Sequence, residues 1–150
     1  YVVTHKSGEV MSKPFLLLPI LLLAFANARA KDDGQSYPGY TERLQQRAEL
    51  VARFAGEPED SVKFRVIDGY EPLSVNSLIV YERGSRGYLL TVTPCWDLPW
   101  TATIGGFASY MTINVGLNRI STAKMRCPIT EIRPVDVKAM KAAEKAMKSG

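Results

Sequence analysis

Histidine is nearly absent from this chain, and cysteine is scarce. The 150 residues hold one His and two Cys. The one histidine is His5, inside an N-terminal stretch that reads as a removable targeting segment. Without that stretch no histidine remains. Ser-His-Asp and Cys-His nucleophilic sites in their usual forms are then excluded. So are zinc, copper and non-haem iron sites built on imidazole. No C-x-x-C pair occurs, and two thiolates alone make a poor metal site. No G-x-x-x-x-G-K or G-x-G-x-x-G pattern surrounds Gly105-Gly106, so no phosphate loop is indicated. That pair suits a bulge or a close backbone approach instead. No apolar run reaches the roughly 20 residues that a membrane helix needs. The net charge of +4 is too mild to imply nucleic-acid binding.

The longest apolar run is Phe15 to Ala26, twelve residues. Lys13 precedes it and Ala28-Arg29-Ala30 follows it. A charged n-region, a short h-region and an A-x-A site make a secretory signal peptide. Pro19 argues against a core helix there. The expected organisation is residues 1–10 as upstream or leftover sequence, 11–30 as signal peptide, 31–39 as flexible leader, and 40–150 as one exported domain. Cleavage after Ala30 would place the protein in the periplasm or outside the cell. It would leave 16 Lys plus Arg against 14 Asp plus Glu, a net charge of +2.

Both cysteines, Cys95 and Cys127, lie in the mature part. An exported chain with an even Cys count usually pairs them, so a structural disulfide is expected.

Periodicity then outlines the fold. Thr41 to Ala55 reads as a helix, with Leu44, Ala48, Val51 and Ala55 on one face, Thr41 as N-cap and Gly56 beyond its end. Val62, Phe64 and Val66 alternate with Lys63 and Arg65, which predicts a half-buried strand. Asp68-Gly69 reads as a turn. Leu78–Tyr81 and Tyr88–Thr93 read as a hairpin joined by a charged, Gly-containing loop. Thr101–Ile104, Phe107–Val115, Asn118–Ser121 and Cys127–Ile132 are further strand candidates. Ile129 and Ile132 stand three apart, which predicts a bulge. Asp136–Lys148 is a helix, with Asp136 as N-cap, Val137, Met140, Ala143 and Met147 on one side and four lysines on the other. The expected fold is mainly β with flanking helices. It is a small antiparallel sheet or partly closed barrel of about six strands, with one helix at each end.

Aromatics concentrate around the first cysteine: Cys95-Trp96-Asp97-Leu98-Pro99-Trp100, then Phe107 and Tyr110. Exposed indoles stack on sugars, bases and peptide side chains. Trp96, Asp97, Trp100, Phe107 and Tyr110 are therefore the candidate ligand or partner surface. The competing reading makes Trp96 a core plug against the disulfide and Asp97 an acceptor in the turn after Cys95. That reading is the stronger one for both residues. Glu71, Glu82 and Glu131 read as solvated.

From Val62 to about Lys138 the layout resembles a family of small exported proteobacterial proteins known only as a domain of unknown function. The resemblance is carried by Tyr88-Leu89-Leu90 leading into Cys95-Trp96-Asp97-Leu98, by Gly116-Leu117-Asn118-Arg119-Ile120, and by the Cys127-Pro128-Ile129-Thr130-Glu131-Ile132 ending. Asn118 departs from the Asp of the family's turn, and no Cys follows the signal run to take a lipid. The resemblance implies the compartment, the disulfide and a β-rich fold, and no mechanism.

These observations favour a non-catalytic binding or structural module stapled by a disulfide, and lean away from an enzyme. No cofactor, metal site or nucleic-acid partner is indicated, and no transmembrane segment would remain after cleavage. An envelope protein or a small ligand is the expected partner. The alternatives are a small exported inhibitor of a lysozyme or protease, and a carboxylate-dependent hydrolase of cell-wall material with Asp97 as the first residue to test.

Overall fold

The computed structural model describes residues 39–149. The stretches expected to be upstream sequence, signal peptide and nearly all of the leader lie outside the described residues.

Seven strands and two helices run in the order α1 (Tyr40–Arg53), β1 (Ser61–Lys63), β2 (Ile67–Ser74), β3 (Ser77–Glu82), β4 (Arg86–Val92), β5 (Thr112–Asn114), β6 (Arg119–Ser121), β7 (Arg126–Asp136) and α2 (Val137–Lys148). Five strands form a curled, fully antiparallel half-barrel in the order β2-β3-β4-β7-β6. β1 and β5 form a separate antiparallel pair. The mainly β fold with a helix at each end is therefore the observed architecture.

The half-barrel is covered on both faces. One face carries Leu78, Val80, Leu90, Ile129 and Ile132, packed with Val62, Phe64, Ile113 and the disulfide. The other carries Leu73, Ile79, Leu89 and Val135, packed under Leu50 and Val51 of α1 and Val137 and Met140 of α2. This explains why Leu78, Ile79 and Val80 run on without a polar break. A strand covered on both sides gains from apolar residues at every position.

Several elements differ from the sequence reading. Asp68-Gly69 is not a turn but part of β2, where a register shift falls between Ile67 and Gly69. β2 is an edge strand, so a bulge there and Pro72 break no second ladder. Thr101–Ile104 is not a strand, and Phe107–Val115 shrinks to β5. The first strand stops at Lys63. β7 is longer than expected, with 11 residues. Its first half pairs with β6, and its second half takes backbone bonds from the segment after α1. Pro134 lacks an N–H, and its carbonyl accepts the Gly56 N–H at 2.7 Å. The expected bulge is present: Thr91 faces Glu131 and Val92 faces Ile129, leaving Thr130 extra.

α1 starts one residue early, with Gly39 rather than Thr41 at its N-cap. Leu50, not Leu44, is its buried leucine. At α2 the Asp136 carboxylate accepts the Ala139 N–H at 2.9 Å, the cap expected from sequence.

A polar cluster ties both helices to the sheet. Arg47 of α1 forks onto Glu71 of β2 at 2.9 and 3.2 Å. It also donates to Tyr81 of β3 at 3.0 Å and to Glu144 of α2 at 3.1 Å. The Tyr81 hydroxyl donates to Glu71 at 2.8 Å. Burial works against the Arg47 charge, but the hydrogen bond and charge of Glu71 outweigh it and raise its pKa. Burial first, then the hydrogen bond to Glu71 and its charge, push the Tyr81 phenol up to about 12 from 10.0.

This shift has a stability consequence of definite sign. A raised native pKa gives a stabilising contribution that is full while the phenol is protonated in both states, and that is lost as the unfolded and then the folded phenol ionise. The Tyr81 contribution is complete below pH 10.0 and disappears as pH rises to about 12. Unfolding measured across that window is expected to show a steeper loss in the parent than in Tyr81→Phe. Identical slopes would remove the coupling.

Candidate binding surface around the disulfide

Cys95 and Cys127 are joined, with Cα atoms 5.9 Å apart, and both are fully buried. The bridge pins the segment after β4 to the start of β7. The Cys95 N–H donates to the Val75 carbonyl at 2.6 Å, which fixes the same segment to the β2–β3 turn. A short 3-10 turn, Leu98–Trp100, follows, and Leu98 plugs the core.

With Cys95 and Leu98 turned inward, Trp96 and Trp100 face outward. Each is 69% exposed. The expectation that Trp96 plugs the core is therefore wrong. The buried sulfur and Leu98 already fill that place.

Asp97 acts as a clamp. One carboxylate oxygen accepts the Thr122 hydroxyl at 2.8 Å, and the other accepts the Lys124 N–H at 3.2 Å. Its partners lie 25 and 27 residues away, not in the local turn. Both oxygens are engaged by the fold.

Trp100 has a partner that the sequence did not reveal. Tyr40, the first residue of α1, stacks on it with ring centres 4.7 Å apart and planes 29° apart. The Tyr40 hydroxyl donates to the Pro99 carbonyl at 2.8 Å. No periodicity signals a contact across 59 residues.

The other two residues of the expected surface go elsewhere. Phe107 is half-buried and lies edge-on to Phe64 and Tyr70, at 6.2 and 5.7 Å between ring centres. It belongs to the core margin. Tyr110 is 72% exposed and lines a groove with Lys63, Arg65 and Arg86.

The acidic residues also sort differently from expectation. Glu82 is not solvated but 4% exposed, and its carboxylate accepts a hydrogen bond from the Arg65 N–H. Glu71 is held in the Arg47 cluster. Among the described residues, no group of three or more His, Cys, Asp or Glu could hold a metal ion. No helix among them is long and apolar enough to cross a membrane.

Residues 11–150 match the model of a family of unknown function, DUF6491. The chain belongs to this family. No curated protein and no solved structure matches it. The family match takes in the apolar segment at 15–26, the disulfide and both exposed tryptophans of this DUF6491 chain.

Proposed function

We propose that this DUF6491 protein is an exported, non-catalytic binding module whose ligand or partner rests on Trp96 and Trp100. The observation that carries this reading is two indoles, each 69% exposed, on a turn pinned by a disulfide. Large exposed aromatics cost a soluble protein, and clusters of them mark interaction sites. A platform fixed in advance loses little freedom on binding. Here the disulfide, the Asp97 clamp and the Tyr40 stack supply that fixation. Export is supported by the n-region, apolar run and Ala28-Arg29-Ala30 site. A buried disulfide also suits an oxidising compartment.

Both tryptophans of the chain sit on this surface, so its intrinsic indole emission reports on nothing else. Titration with soluble peptidoglycan fragments is expected to change that emission saturably. Such fragments offer both sugar faces and peptide side chains. Trp96→Ala and Trp100→Ala are each expected to weaken binding about tenfold, since stacking on an indole contributes about 1–3 kcal/mol. Emission that ignores these fragments would count against an envelope ligand. N-terminal sequencing of the chain recovered from cells tests export separately: a start at Lys31 is expected, and retention of residues 11–30 would remove signal cleavage.

A further inference from the structure

A second surface carries chemistry that the tryptophan platform does not use. Beyond β1 the chain keeps its alternation. Phe64 is fully buried, while Lys63 and Arg65 point to solvent on the same side. Arg86 opens β4 just after the β3–β4 turn and is also exposed. These three cations and Tyr110 frame one groove of about 600 Å³. The ion pairs among the described residues involve Arg47, Glu71, Glu144 and Lys148, and none involves Lys63, Arg65 or Arg86.

Arg86 stands opposite Asp136 of β7, which caps α2, and on its other side opposite Glu82 of β3. Glu82 is buried, and its carboxylate is engaged with the Arg65 backbone N–H. It therefore braces the groove wall from behind, and the two carboxylates together offset at most two of the three positive charges. The groove keeps a net positive face.

Tyr110 adds an independent sign. Its φ is 65°, in the left-handed region that favours glycine. Two backbone bonds hold it there: Tyr110 N–H to the Arg65 carbonyl at 2.8 Å, and Phe64 N–H to the Met111 carbonyl at 2.9 Å. Its ring is 72% exposed, so burial of the ring does not repay the strained backbone. Strain of this kind gathers at binding and catalytic sites. A phenol ring beside three uncommitted cations suits a ligand with a flat or ring-shaped body and a negative group. The groove volume lies within the usual range for small-molecule sites. A nucleic-acid strand would call for a longer basic track with repeated stacking rings.

We propose that this groove binds a small anionic sugar, a sugar acid or a sugar phosphate. Lys63, Arg65 and Arg86 hold the anionic group, and the ring lies against Tyr110. This site does not depend on the tryptophan platform.

Calorimetric titration of the full chain with digalacturonate, glucose 6-phosphate and neutral cellobiose tests it. At least one anionic sugar is expected to bind, and cellobiose at least tenfold more weakly. Which anion binds tells a carboxylate source from a phosphate source. The double variant Lys63→Gln/Arg86→Gln is expected to lose at least tenfold in affinity. Tyr110→Gly is expected to lose a similar factor while its Tm stays equal or rises, because glycine relaxes the backbone at that position. A paired substitution on α2, Lys138→Gln/Lys145→Gln, is expected to bind as the parent does. Equal binding of cellobiose, unchanged binding by Lys63→Gln/Arg86→Gln, or binding of a thymidine 12-mer but of neither anionic sugar would each overturn the proposal.

Discussion

Replacing Cys95 and Cys127 together by alanine is expected to lower the unfolding free energy by about 3.5 kcal/mol, because the bridge closes a loop across a separation of 32 residues. For a domain of this size that corresponds to a fall in Tm of roughly 10–20 °C. The effect should come mainly through the unfolded chain, which the bridge keeps from expanding. The double variant should therefore also show a larger urea m-value than the oxidised parent, since it exposes more surface on unfolding. Cys95→Ala alone should cost about as much, because the loop opens when either sulfur is removed. A loss below about 1 kcal/mol with an unchanged m-value would mean that the bridge does not constrain the chain. The same substitution bears on the platform. Trp96 follows Cys95 directly, and opening the bridge leaves the turn held by the Asp97 clamp, the Cys95–Val75 backbone bond and the Tyr40 contacts to Pro99 and Trp100. Ligand affinity at the tryptophans should fall more than affinity at the Tyr110 groove, whose cations lie on or beside β1 and β4 and not on the bridged turn.

Local signals carried the parts of this fold that depend on neighbours in sequence. Asp136 caps α2 because its carboxylate lies three residues before the N–H it accepts. The Ile129–Ile132 spacing required an extra residue, and Thr130 is that residue. The disulfide follows from the even cysteine count and the expected export. What escaped was set by distant partners. β2 contains Asp68-Gly69, a turn signal in the sequence, and also Pro72. An edge strand with two register shifts tolerates them because one side of its ladder is open. Trp96 was placed inside because an indole beside a cysteine usually packs there. Its outward direction is decided by Leu98 taking the core position and by Thr122 and Lys124 holding Asp97. Tyr40 over Trp100, and Glu82 behind the basic groove, depend likewise on contacts between residues far apart in the chain. A loop has no period, so the side to which it turns its aromatics is not written in spacing.

One loop feature was legible, and it leads to the second large effect. Gly105-Gly106 suits a bulge or a close backbone approach, and the segment docks on β6 by close approach. The Gly105 N–H donates to the Ser121 carbonyl at 2.7 Å, and the Ser121 N–H returns to the Gly105 carbonyl at 3.0 Å. This bridge covers the edge strand of the half-barrel, which would otherwise present unpaired backbone groups. Gly106 then passes so near β6 that a Cβ there would lie 2.1 Å from the Arg119 carbonyl oxygen and 3.0 Å from the Ile120 Cα. Its φ of 95° adds a conformation that alanine resists. Backbone cannot move aside as a flexible side chain can, so Gly106→Ala must push the loop off the strand. Overpacking and the disfavoured φ together are expected to cost about 3–5 kcal/mol. The neighbouring Gly105→Ala is the control. Its Cβ would sit 3.8 Å from the Ser121 Cβ, an ordinary contact, and at no positive φ. Its expected effect is within about 1 kcal/mol. Denaturant unfolding of the two variants should therefore differ by several-fold in cost. Equal losses would mean that the loop does not approach β6 through Gly106. Because Ile104 and Phe107 flank this point and Tyr110 follows it, surviving Gly106→Ala protein should also lose affinity at the basic groove before it loses the indole response at Trp96 and Trp100.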